Sequence, residues 1–260
     1  QALRSILDEV REAVPAARVA TRDGDAGPNG NTEPPARPLR LLAVHGVGEH
    51  PPGGAWENVW RTAVRTALDG VPAQQTFDID FVHYDDLVRQ HGIDAGDYLE
   101  AFLRLSGSGI VHGIGDLFRA RSIFDLPQKL RWTAGMVAQW AAQEDFRRDT
   151  RERLGLWLEA REYDAVLAHS LGTLVAYDTL LHRPDLIRNR TFVTFGSQIG
   201  NPFVRSVFGG RLVALPESRW FHLYNRHDDV FAAPIRIGDP TFTQVEAHFD
   251  DPQDVLDHDA

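Results

Sequence analysis

Apolar residues in this chain gather into short runs that alternate with longer stretches in which they recur every three or four positions. The first run, LRLLAVHGVGEH from Leu39 to His50, reads as a buried strand entering a glycine-bearing turn. Trp56, Val59, Trp60, Ala63 and Val64 then keep helical spacing, and in TFDIDFVHYDDLV the residues Phe77, Ile79 and Phe81 alternate with polar ones, a strand with an acidic exit. Phe146 to Glu162 predicts a charged helix, Ala165 to Ala168 a buried strand, and Leu171 to Leu180 a helix. Thr191 to Phe195, Trp220 to Tyr224 and Thr241 to Phe249 complete the predicted strands. Strands and helices that alternate in this way predict an α/β fold, a mostly parallel sheet with helices on both faces.

Two regions break the rhythm. Residues 1–37 carry a helical stretch, with Ile6, Val10 and Val14 on one face, and a Gly-, Pro- and Asn-rich segment without periodicity that reads as a flexible linker. The folded domain is therefore expected over 38–260. Between about residues 90 and 145 the alternation lapses into glycine-rich turns and apolar helical pieces, including Leu99, Phe102, Leu103, Leu130, Trp132, Met136, Val137 and Trp140. This insertion reads equally well as helices packed on the sheet or as a lid over a site.

Composition narrows the function classes. With 43% hydrophobic residues in 260, the chain can bury a full core. A net charge of −10, a single lysine at Lys129 and no basic stripe argue against nucleic-acid binding. The absence of cysteine excludes disulfides, thiolate metal sites and a cysteine nucleophile. No H-E-x-x-H spacing occurs, and the acidic tail Asp250 to Asp259 lacks the ligand spacing of a calcium loop, so neither a metal nor another cofactor is expected. No run reaches transmembrane length and no signal peptide opens the chain, which leads to the expectation of a soluble, cytoplasmic protein with at most transient contact at a membrane surface. The first residue, Gln1, suggests a piece of a longer polypeptide.

The candidate chemistry centres on AVLAHSLGTL. Ser170 falls where a strand turns directly into a helix, between the small residues Ala168 and Gly172, and the tight turn is expected to leave its hydroxyl exposed above the sheet edge. A serine between small residues is also a common helix N-cap. The rest of the chain must therefore supply a base, an acid and an oxyanion hole.

AHSLG resembles the G-x-S-x-G nucleophile elbow of the α/β-hydrolases, with Ala168 in the first glycine position. HGVGEH resembles the family's oxyanion loop, HDDVFA its acid segment and GSQIG the G-S-P-L-G segment of lipase-like members, with a more distant likeness to the DDHD-domain phospholipases. A second HGIG, His112 to Gly115, follows no clear strand and reads as an unrelated turn. The resemblance implies an α/β-hydrolase fold and a Ser-His-Asp triad without a cofactor, with Ser170 as nucleophile, Asp228 as acid and His258 as base. It also implies an oxyanion hole from the N–H groups of Val47 and Leu171. Asp229 stands as the alternative acid, and His248 and His227 as alternative bases. The family adds a helix after the base, so the end of this chain two residues beyond His258 suggests truncation. The implied reaction is hydrolysis of a carboxylic ester, with an acyl or lipid substrate suggested by the apolar insertion. A thioester or amide substrate, or a non-catalytic binding module of a larger protein, remains the alternative.

Overall fold

A computed structural model describes residues 37–46, 48–68, 76–91, 128–224 and 234–246. Six strands form one sheet: β1 (Leu39–Val44), β2 (Phe77–Val82), β3 (Ala165–His169), β4 (Thr191–Phe195), β5 (Arg219–Tyr224) and β6 (Phe242–Glu246). The order across the sheet is β2-β1-β3-β4-β5-β6 and every adjacent pair is parallel. The helices are α1 (Ala55–Leu68), α2 (Asp85–Gln90), α3 (Gln128–Ala142), α4 (Glu144–Ala160), α5 (Leu171–His182) and α6 (Pro202–Val207). Among the described residues, no helix is long and apolar enough to cross a membrane.

The period of two in the strands divides the core. Leu41, Ala43, Ile79, Phe81, Ala165, Leu167, Val193, Phe195 and Leu223 face one side, where Val64, Ala67 and Leu68 of α1 cover them. Leu42, Val44, Val82, Val166, Ala168, Phe192 and Trp220 face the other, under α3, α4 and α5. Both faces are thus buried, as the apolar runs require of a parallel sheet.

Helix α5 lies deepest, with every residue from Leu171 to Leu180 buried. Its one internal charge, Asp178, is 3% exposed at the side chain and takes a hydrogen bond from Arg151 of α4 at 2.7 Å. Burial raises the Asp178 pKa above the ordinary carboxylate value, against the pull of Arg151. Helix α4 makes its own contact with a stripe at i, i+4 spacing, Phe146, Thr150, Leu154 and Leu158; Arg147 and Arg151 reach inward to α3 and α5, and charges such as Arg148 and Glu159 stay outward.

Edges and ends are closed by polar contacts. On the edge strand β2, Asp78 and Asp80 both pair with Arg161, and the Tyr163 hydroxyl donates to Asp80 at 2.9 Å, placing charge where another strand would otherwise add. At the amino ends of the strands, Asp164 accepts a bidentate pair from Arg37 at 2.6 and 2.8 Å and a third bond from the backbone N–H of Arg40.

Of the insertion expected near residues 90–145, 92–127 lie outside the described residues. In the described part, Met136, Val137, Ala138 and Trp140 of α3 belong to the core on the α4–α5 face, so this part packs against the sheet. Leu99, Phe102 and Leu103 lie outside the described residues, as does the helix and linker expected over 1–37, apart from Arg37. Of the last strand expected over Thr241 to Phe249, Phe242–Glu246 forms β6, and 247–249 lie outside the described residues.

Candidate active site

After β2 the chain returns past β1 to build the other side of the sheet, so strand order reverses between β1 and β3. In open parallel sheets the crevice at the carboxyl ends beside such a reversal is where ligands bind. Ser170 stands there, directly after β3, and His45 and Gly46 stand opposite, directly after β1.

The turn at Ser170 is strained. Its φ of 50° and ψ of −125° place a non-glycine residue in a region that L-residues rarely occupy, at a cost of roughly 1–3 kcal/mol. Backbone contacts hold it in place. The Ser170 N–H donates to the Phe195 carbonyl at the end of β4 (3.2 Å), and the Ser170 carbonyl accepts from the N–H and hydroxyl of Thr173 at 2.9 and 2.7 Å. Thr173 Oγ1 lies 2.7 Å from Ser197 Oγ, and with Thr173 donating to Ser170 the shared proton comes from Ser197. Ser197 in turn accepts from the Ile199 N–H. This chain of hydrogen bonds fastens the GSQIG turn after β4 onto the first turn of α5.

Gly172 has a different task from loosening the turn. A Cβ at this position would lie 2.3 Å from the His45 carbonyl oxygen and 2.4 Å from that of Val44, so only glycine lets α5 start against the end of β1. The same closeness corrects the expectation of an exposed nucleophile. Ser170 is 2% exposed, and Gly46 covers it from the β1 side. Its hydroxyl, although buried, has no hydrogen-bond partner among the described residues. Buried hydroxyls are nearly always paired, and an unpaired one at a strained turn fits a group kept free for a reaction. Leu171 opens α5, which leaves its N–H at the helix start, where amides have no partner within the helix; its side chain is fully buried.

The wall beyond Gly46 is aromatic and polar. The His45 ring stacks between His50, at 3.9 Å between centroids, and Tyr84, at 4.3 Å, with Trp56 edge-on. Tyr84 donates its hydroxyl to the His45 carbonyl. The His45 Nδ1–H donates to the Gly46 carbonyl at 2.9 Å, which leaves the Nε2 lone pair facing Asp85. Burial, assisted by His50, pushes the His45 pKa down to about 3, so the ring is neutral at pH 7. On the β4 side, Gln198 is buried and neither atom of its side-chain amide has a partner among the described residues. Past it, a cavity of about 810 Å³ is lined by Gly200, Arg205, Arg211, Arg236 and Ile237 among others; Ser170 is not part of its wall.

Of the residues expected to act, Ser170 and Leu171 are at the β3–α5 turn. Val47, Asp228, Asp229, His227, His248 and His258 lie outside the described residues. Strands β5 and β6 run parallel to β3, so Tyr224 and Glu246 lie at the same carboxyl end of the sheet as Ser170. Sequence reasoning passed over His45, His50, Tyr84, Asp85 and Gln198. The available signal was two histidines bracketing the HGVGEH turn and an acidic exit on the next strand, made neighbours by the register Val44 to Val82. Comparison of the chain with protein-family models, curated proteins and solved structures finds no match to any of them.

Proposed function

We propose that this chain is a serine hydrolase of the α/β-hydrolase type that cleaves a carboxylic ester. The observation that carries the reading is Ser170 itself, at a strained turn and with a hydroxyl that has no partner among the described residues, between a central parallel strand and a buried helix, beside the point where strand order reverses. Such a turn is costly to fold and has no packing purpose that glycine would not serve better, which favours a chemical role.

In this reading Ser170 Oγ adds to the acyl carbonyl carbon while its proton passes to His258, held in orientation by Asp228. The N–H groups of Val47 and Leu171 stabilise the oxyanion. Collapse expels the alcohol with the proton returned by His258, and water repeats the sequence to release the acid. The buried hydroxyl implies that the Gly46 side of the turn moves aside when substrate enters. An acyl substrate is supported by the apolar sequence of the insertion before Gln128; the apolar residues of α3 from Met136 to Trp140 are spent on the core.

The test is labelling with a fluorophosphonate followed by peptide mapping, together with turnover of p-nitrophenyl esters, thioesters and peptides. Label on Ser170 and ester turnover lost in Ser170→Ala are the expected results. Absence of label, with equal behaviour of wild type and Ser170→Ala in every assay, overturns the reading in favour of a binding module.

A further inference from the structure

We propose that His45, His50 and Asp85 form a binding site for a divalent transition-metal ion of the zinc type, at the exits of β1 and β2 and next to the turn that covers Ser170. The three residues each offer one donor atom, and these atoms lie within 4.8 Å of one another. His45 Nε2 and His50 Nδ1 stand 3.6 and 3.8 Å from the same carboxylate oxygen of Asp85. Those separations are too long for hydrogen bonds, and both nitrogens are buried without a hydrogen-bond partner among the described residues. A triangle with these edges has a centre no more than about 2.4 Å from each corner, a few tenths of an ångström beyond a zinc–nitrogen bond of about 2.0–2.1 Å. The two rings are stacked at 3.9 Å with 25° between their planes, so the His50 ring would swing out of the stack about its side-chain bonds for both in-plane lone pairs to meet one ion.

The surrounding bonds suit a metal site. His45 uses Nδ1–H on the Gly46 carbonyl, so its remaining nitrogen is the lone-pair donor a metal needs. Asp85 Oδ2 accepts the backbone N–H of His50, which orients the carboxylate and leaves Oδ1 for the ion. Two imidazoles and one carboxylate favour zinc and its first-row neighbours over calcium or magnesium, which prefer oxygen donors throughout. Three protein ligands leave a coordination position for water. The ion would tie the loop after β1, which carries Gly46 onto Ser170, to the start of α2. The site rests on none of the steps proposed for ester hydrolysis.

The full chain, stripped with a chelator, is titrated with Zn²⁺ in a calorimeter and with Co²⁺ in a spectrophotometer. The expected results are one ion per chain, a Co²⁺ visible spectrum of low-symmetry coordination with nitrogen donors, and a thermal midpoint raised by Zn²⁺. His50→Ala and the near-isosteric Asp85→Asn each lower affinity at least about 100-fold. His91→Ala, a histidine paired with Asp149 at 2.9 Å on α4, serves as control and binds as wild type does. Ser170→Ala also binds normally, so failure of the hydrolase reading and failure of the metal site are separable. No saturable binding by wild type, or equal binding by folded Asp85→Asn, overturns the proposal.

Discussion

Gly46 and Ser170 meet with no room for a methyl group between them: a Cβ on Gly46 would stand 2.7 Å from Ser170 Cβ and 3.3 Å from its hydroxyl oxygen. The contact joins the ends of two neighbouring parallel strands, β1 and β3, and it falls on the reacting group of the proposed hydrolase. Gly46→Ala must therefore push the turn or the loop away. The expected outcome is a loss of about 1–3 kcal/mol in urea unfolding and at least a tenfold fall in ester turnover.

Gly172→Ala should be the more damaging change. Its Cβ meets backbone oxygens of Val44 and His45, which cannot rotate away as a side chain can. A loss at or above about 3 kcal/mol is expected by chemical denaturation. Gly155, in the middle of α4, is the contrast: nothing lies within 4 Å of a Cβ there, and Gly155→Ala should stabilise by about 0.5–1 kcal/mol.

Ser170→Gly separates stability from activity. Glycine accepts a φ of 50° without penalty, and removal of the side chain also removes a buried hydroxyl that has no partner among the described residues. The variant is expected to be about 1 kcal/mol more stable than wild type and to lack ester turnover. A stability equal to or below that of Ser170→Ala would show that the turn carries no strain.

Arg151 is the charge that makes the ionised Asp178 tolerable inside α5. Arg151→Met takes away the guanidinium hydrogen-bonded to the buried carboxylate, leaves it only the half-exposed His182 ring at 3.4 Å, and is expected to cost about 3 kcal/mol at pH 7. The sign of the pH effect follows from burial. With Arg151 gone, the folded-state pKa of Asp178 rises further above its unfolded value, so the unfolded chain releases its proton first as pH increases. The penalty is full above the folded pKa, shrinks as pH falls and fades below the unfolded value of 3.8. Unfolding curves of wild type and variant measured from pH 7 down to pH 3.5 should therefore converge.

Strands β1, β3, β4 and β5 were legible because a strand buried on both faces needs an apolar residue at nearly every position, and runs such as LRLLAV and AVLA admit few other readings. Periodicity says less where it saturates. Helix α5 is apolar all round, so its spacing does not reveal which side meets the sheet, and the fate of Asp178 depended on Arg151, 27 residues earlier. The burial of Ser170 was hidden for a similar reason, since its cover comes from β1 and not from its own neighbours. The His45, His50 and Asp85 cluster had no recognisable ligand spacing. Asp85 lies 35 residues from His50, and only the parallel register of β1 and β2 brings them together. In α3, the pattern could not tell a core helix from a lid, and Met136 and Trp140 decide for the core.

Among the described residues, what holds position 170 in place does not include a hydrogen bond from its side chain. The N–H grips Phe195, the carbonyl is gripped by Thr173, and Gly46 and Gly172 let neighbouring backbone close in on both sides. The turn is thus a mount into which other reactive groups can be fitted. Ser170→Cys would keep its address in the fold while exchanging the hydroxyl of the proposed nucleophile for a thiol, which makes this residue a natural starting point for redirecting that proposed chemistry without redesigning the scaffold.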